Sequence, residues 1–191
     1  MKVSASCKIT LLGDAAVGKT ALRNRFMGNS FSSRYMVTMG ADVSSKIVDI
    51  GKEKIKFQIW DLAGEARFDM VRGMYCKGAT GGILVFDVTR RESYENVVSW
   101  VKELWNNNDI GRVPMIVLGN KIDLRDKFPK GVASEDGQEL TRALSEACSD
   151  IGITVNYLET SAKTGENVDQ AFSLLGKSIM RFAVGERKEK E

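Results

Sequence analysis

Apolar positions recur along this chain with two periods, and the periods alternate. Short apolar runs are separated by longer stretches with helical spacing. Residues 7–12 predict a buried strand, followed by a glycine-bearing loop and a helix over 19–27. Residues 41–50 and 54–61 flank Gly51-Lys52; in the second, Ile55, Phe57 and Ile59 alternate with polar residues, as in a half-buried hairpin strand. Residues 82–88 and 114–119 predict fully buried strands, each followed by a helical stretch. Leu140, Ala143, Leu144 and Ala147 share one helical face, with Ser134 as the expected cap and Glu135 and Asp136 suited to the first turn. Residues 154–159 predict a last strand. Asn167, with Gln170 three residues on, is expected to cap a helix whose face is Val168, Ala171, Phe172, Leu175, Ile179 and Phe182. Strands alternating with helices predict a mostly parallel sheet covered on both faces, with ligands beyond the strand carboxyl ends.

Composition narrows the chemistry more than it refines the fold. The 191 residues are enough for one domain with at most a tail. There is no histidine, which excludes Ser-His-Asp and Cys-His catalysis, His-ligated zinc and imidazole acid–base work. Cys7, Cys76 and Cys148 are far apart with no C-x-x-C, against zinc ribbons, iron–sulfur clusters and a disulfide scaffold, and in keeping with a reducing compartment. Chemistry is left to carboxylates, hydroxyls, lysine, arginine, backbone groups or a hard metal. The charge is nearly balanced, 28 basic against 25 acidic residues, so nucleic acid is not an expected partner. The apolar runs are too short to span a membrane and Lys8 interrupts any leader-like start, so the cytoplasm is the expected location.

Gly13-Asp14-Ala15-Ala16-Val17-Gly18-Lys19-Thr20 matches G-x-x-x-x-G-K-[ST] between a strand and a helix. Such a loop turns backbone N–H groups around phosphate oxygens, and glycines keep side chains out of the way. Lys19 neutralises the β- and γ-phosphates, and the Thr20 hydroxyl ligates Mg²⁺ at a helix start whose dipole favours anions. Asp14 through Ala21, that is Asp14, Ala15, Ala16, Val17, Gly18, Lys19, Thr20 and Ala21, are therefore candidate phosphate-binding positions. Trp60-Asp61-Leu62-Ala63-Gly64 ends a strand at the same sheet edge; Asp61 suits Mg²⁺ through water, and the Gly64 N–H suits a γ-phosphate. Asn120-Lys121-Ile122-Asp123 follows another strand. The Asp123 carboxylate matches the N1–H and exocyclic amine of guanine, a donor pair adenine lacks; Lys121 can lie over the base, and Asn120 can brace the loop. Thr160-Ser161-Ala162-Lys163 follows the last strand, where a backbone N–H of Ser161, Ala162 or Lys163 suits the guanine O6. Each motif alone has an ordinary turn or loop explanation. Their order, each at a strand's carboxyl end, is what makes them specific.

With these motifs the chain resembles the Ras-superfamily small GTPases, and most the Rab branch, over about residues 7–182. The branch-level similarity rests on Lys56-Phe57-Gln58-Ile59-Trp60-Asp61, Arg67-Phe68, Tyr75-Cys76-Lys77-Gly78-Ala79, Leu84-Val85-Phe86-Asp87-Val88-Thr89 and Arg91-Glu92-Ser93-Tyr94. The resemblance implies an α/β P-loop NTPase fold: a mostly parallel six-stranded sheet with one antiparallel strand and helices on both faces. It implies a GTPase domain over 1–184 and a short charged tail over 185–191. It implies a monomeric switch that binds GTP, GDP and Mg²⁺ and hydrolyses GTP slowly, in membrane traffic or related signalling. Exchange factors, GTPase-activating proteins and effectors would bind its switch regions. Thr38 corresponds to the switch-one threonine that joins Thr20 and Asp61 at Mg²⁺, Phe31 to an aromatic on the guanine edge, and Tyr35 to one over the phosphates. Residues 64–77 correspond to switch two, with Lys19, Gly64 and Glu65 at the catalytic positions.

Three departures from the family pattern stand out. Glu65 occupies the place of the catalytic glutamine, which raises the alternative of a pseudo-GTPase that holds nucleotide without turning it over. Val43 replaces a phenylalanine of an exposed aromatic trio, while Trp60 and Tyr75 keep the other two places. The terminal residues 186–191 carry three acids and three bases and no prenylatable cysteine, so no stable membrane anchor is expected in this chain; peripheral association would require a lipidated tail. An ATP-using P-loop enzyme is a third reading, which Asp123 opposes.

Overall fold

The computed structural model describes residues 3–31, 38–65 and 69–188, and for 69–72 and 186–188 the backbone alone. The strands are β1 (Ala5–Leu12), β2 (Ala41–Ile50), β3 (Glu53–Leu62), β4 (Gly81–Asp87), β5 (Met115–Asn120) and β6 (Asn156–Thr160). The helices are α1 (Lys19–Phe26), α2 (Asp69–Cys76), α3 (Arg91–Glu95), α4 (Val97–Asn107), α5 (Ser134–Glu146) and α6 (Val168–Lys188). A single sheet runs β2-β3-β1-β4-β5-β6. Among the described residues only the β2–β3 hairpin is antiparallel; β1 pairs in parallel with β3 and β4, β4 with β5, and β5 with β6. The expected fold class is the one observed.

The strands at the centre are apolar because both their faces are covered. Every residue of β4 and β5 is buried. On one face Ile9, Leu11, Phe57 and Ile83 pack against α1 and α6, where the Phe26 and Phe172 rings stack with centroids 3.7 Å apart. On the other, Leu12, Leu84, Phe86 and Val117 meet Trp100 and Leu104 of α4 and Leu144 of α5. The hairpin strand β3 buries Ile55, Phe57 and Ile59 as its alternation predicts.

Three local expectations are corrected. Ser134 is the first residue of α5 and not its cap: Ala133 holds that place, and its N–H donates to the Asp136 carboxylate at 3.0 Å. Thr154 and Val155 precede the last strand, because the Val155 N–H donates to Ser145 Oγ at 2.9 Å and ties that stretch to α5. Pro114 and Val88 likewise lie just outside β5 and β4. Asn167 stands immediately before α6 as expected, in a left-handed conformation (φ 58°), while its side-chain amide reaches back to the Glu159 carbonyl at 2.7 Å. The parallel pairing brings the exits of β1, β3, β5 and β6 to one edge of the sheet, and that edge carries all four motifs. No helix among the described residues is long and apolar enough to cross a membrane.

Candidate functional site

The loop between β1 and α1 starts at Gly13, whose backbone admits no side chain: φ is 140°, and a Cβ there would lie 2.1 Å from the Val85 carbonyl oxygen. Ala16 keeps a left-handed φ of 63°. The loop is held from outside by the α3–α4 region. The Asp14 carboxylate accepts from Trp100 Nε1 at 2.7 Å and Asn96 Nδ2 at 2.9 Å, and Arg90 donates to the Ala15 carbonyl at 2.8 Å. With the Asp14 side chain and the Ala15 carbonyl held from outside, the loop's N–H groups are left to serve an anion, next to the start of α1. Lys19 is 6% exposed and its ammonium donates to the carbonyls of Gly13 and Asp14 at 2.6 and 2.8 Å, so a buried cation sits over the loop. Gly64, after β3, lies hard against the same loop: a Cβ there would meet the Asp14 carbonyl carbon at 2.4 Å and the Ala15 nitrogen at 2.5 Å.

The three expected metal-site residues converge beside it. Thr20 Oγ1 donates to Asp61 Oδ2 at 2.5 Å and lies 2.9 Å from Thr38 Oγ1. Because the single Thr20 proton goes to Asp61, Thr38 is the donor in the second contact. Asp61 is fully buried, and its Oδ1 has no hydrogen-bond partner. Burial pushes its carboxyl above the usual range, against the opposing pull of the Thr20 hydroxyl, Lys19 and Arg23. A buried, unpaired carboxylate oxygen next to two hydroxyls fits a hard, oxygen-seeking cation such as Mg²⁺. No cluster of three or more His, Cys, Asp or Glu exists among the described residues, so such an ion would take its remaining ligands from phosphate or water.

The other half of the site is organised by Asn120, buried at the end of β5. Its amide donates to the Val17 carbonyl at 2.8 Å, and its oxygen accepts from the Ala162 N–H at 3.2 Å and Thr160 Oγ1 at 3.3 Å. One side chain thus ties the phosphate-type loop to the loop after β6. Gly18 faces it so closely that a Cβ would lie 2.3 Å from Asn120 Nδ2. Lys121 has a left-handed backbone (φ 71°) and its ammonium pairs with Asp87 Oδ2 at 2.7 Å. Asp123 accepts from Ser161 Oγ at 2.6 Å, with Lys163 Nζ 3.9 Å from its other oxygen. Phe31 is 42% exposed, Glu65 is half-buried after Gly64, and Tyr35 lies outside the described residues.

Sequence reasoning passed over Arg23, Arg90, Asn96, Trp100 and Asp87, which support the site from behind. Arg23 was open to detection, since it shares the buried face of α1 with Lys19 and Phe26. Trp100 was not: 86 positions separate it from Asp14, and nothing local links them.

A parallel sheet whose carboxyl edge joins a G-x-x-x-x-G-K-T loop to a buried Asp–Thr pole defines a P-loop nucleotide-binding protein. Residues 8–181 match the Ras family. The chain is 39% identical to Ras-related protein Rab-13 of Canis lupus familiaris over 180 residues, covering 94% of this chain and 83% of that one. It is 36% identical to Ras-related protein Rab-8B of Homo sapiens over 173 residues, covering 91% of this chain and 78% of that one. The chain belongs to the Ras family of small GTPases, on its Rab branch; members bind guanine nucleotide and hydrolyse GTP.

Proposed function

We propose that this chain is a GTP-dependent switch whose GTPase domain occupies residues 1–184, followed by a short charged tail over 185–191. The observation that carries the reading is the Asn120 bridge, which joins the phosphate-type loop to the loops bearing Asp123 and Ala162. The N–H groups of residues 14–21 would surround the phosphates, Lys19 would neutralise them, and Gly64 would meet the terminal phosphoryl group. Thr20, Thr38 and Asp61 would hold Mg²⁺, which offsets charge on the phosphates when bound. Asp123 would accept from guanine, with Lys121 and Phe31 over its faces or edge, Tyr35 over the phosphates, and Ser161, Ala162 and Lys163 lining its far side. Ser161 already donates to Asp123 and so aims the carboxylate.

In this reading the protein works in the cytoplasm as a monomer in membrane traffic or related signalling. Exchange factors, activating proteins and effectors recognise its switch segments, and peripheral membrane association would require a lipidated tail. Glu65 favours a second reading, a GTP-binding scaffold with negligible turnover, because an ionised carboxylate offers an acceptor to water but no donor to the phosphoryl group. A site that pairs a carboxylate with two donors should reject adenine by roughly 10⁴-fold. The unmutated protein should therefore prefer GTP over ATP to that extent in fluorescent-nucleotide competition, and Asp123→Ala should collapse GTP affinity without lowering the melting temperature of the nucleotide-free protein. Comparable GTP and ATP affinities would overturn the assignment. Single-turnover GTP hydrolysis with Mg²⁺ separates the slow GTPase from the scaffold.

A further inference from the structure

Arg23 lies one turn beyond Thr20 on α1 and is only 8% exposed. Its guanidinium places a cation in a buried setting. Nη1 is 2.5 Å from Asp42 Oδ2, at the start of β2, and 4.0 Å from Asp61 Oδ2. The Asp42 contact is an ion pair by distance without the directed N–H of a hydrogen bond, while Nη2 and Nε donate to Asn24 Oδ1 at 3.0 and 3.3 Å. The two carboxylates differ in setting: Asp61 is fully buried, whereas the Asp42 side chain is 59% exposed and screened by solvent.

A buried charge is costly unless it is matched, and an aliphatic side chain would fill the same space on α1 at lower cost. What an aliphatic residue would not supply is a fixed positive charge beside the carboxylate of the metal pole. A cation there competes with a divalent ion for Asp61 and lowers the attraction of the pole for it, while Asp42 offsets part of that effect.

We propose that Arg23 sets how much Mg²⁺ the protein requires to retain nucleotide, acting through Asp61 as a positioning residue, with Asp42 as its counter-charge. The inference rests on reading Thr20, Thr38 and Asp61 as the metal pole. It has a signature that a purely mechanical tether lacks. Removing the arginine charge and removing its counter-charge must move the Mg²⁺ requirement in opposite directions.

The test is the rate of GDP release against free Mg²⁺, giving the Mg²⁺ concentration at which release is half-slowed. Arg23→Gln should lower that concentration on the order of tenfold, as should Arg23→Leu if the glutamine variant folds poorly. Asp42→Asn should raise it by a smaller factor, about threefold, because Asp42 is solvent-screened. Arg23→Lys should stay near the unmutated value, and the Arg23→Gln, Asp42→Asn pair should return towards it. Melting temperatures of the GDP-bound variants report any merely structural loss, which would shift both single variants alike. If the unmutated protein responds to Mg²⁺ but the Arg23 and Asp42 variants shift in the same direction, or not at all, the Arg23 inference is overturned and the metal pole stands. If release in the unmutated protein ignores Mg²⁺, the metal-pole reading fails, and the inference with it.

Discussion

Among single residues, Glu65 bears most directly on turnover. It follows Gly64, which presses against the backbone of Asp14 and Ala15, so residue 65 is next in the chain to a close contact with that loop. In the proposed reading, a carboxylate at this position would keep an acceptor for an attacking water and add negative charge beside phosphate. Intrinsic hydrolysis should be slow but measurable. Glu65→Ala should reduce the single-turnover rate further by removing the acceptor, and an unchanged rate would take Glu65 off the list of catalytic residues. Most of the residues proposed to touch nucleotide were legible in the sequence, because each motif is contiguous and its chemistry is local. Of those that hold them in place, Asn120 was legible as a brace, but the partners of Asp14 were not. Asp14 reads as one more loop residue until Trp100 and Asn96 are seen to take both its oxygens.

At the level of elements, the apolar periods located every strand among the described residues, and two of the errors fell where a side chain captured backbone at an end. Ser145 does so at Val155, and Asp136 at Ala133. Neither partner is visible from the periodicity of its own segment. Helix α5 packs on β6 through Gly137, where a Cβ would lie 2.3 Å from the Tyr157 ring. That ring is in turn stacked on Phe86 with centroids 6.2 Å apart, so it has little room to yield. Gly137→Ala should destabilise the protein by about 1–3 kcal/mol in chemical denaturation, from overpacking; an unchanged midpoint would mean that α5 shifts freely. The segments on either side of β2 and β3 should respond to the bound nucleotide, since the γ-phosphate orders switch segments in this family. Amide exchange over 32–42 and 64–77 should differ between the GTP and GDP forms, and equal protection in both spans would contradict the switch reading.

Over the whole molecule, the strand order was the part least open to sequence reasoning. The placement of β1 between β3 and β4 depends on long-range pairing that no local pattern encodes. The general rule for parallel sheets nevertheless located the site, because it depends on strand direction and not on order. Cys7, Cys76 and Cys148 are all buried, and burial pushes the thiols of Cys7 and Cys148 above their usual pKa. Thiolate is the reactive form, so native protein should react slowly with a disulfide reagent at neutral pH, and three thiols should appear once it is denatured. Rapid native labelling of more than one thiol would show that the core opens far more readily than its packing suggests.

The β2–β3 hairpin has a practical corollary. Its turn, Gly51-Lys52, is exposed, and a Cβ at Gly51 would meet nothing within 4 Å. Because β3 runs parallel to β1, that turn sits at the amino ends of the strands, opposite the edge that carries the nucleotide motifs. A dye, an affinity handle or an inserted reporter peptide attached there would leave the working edge clear. The hairpin is thus a natural port for watching the cycle of this protein without standing in its way.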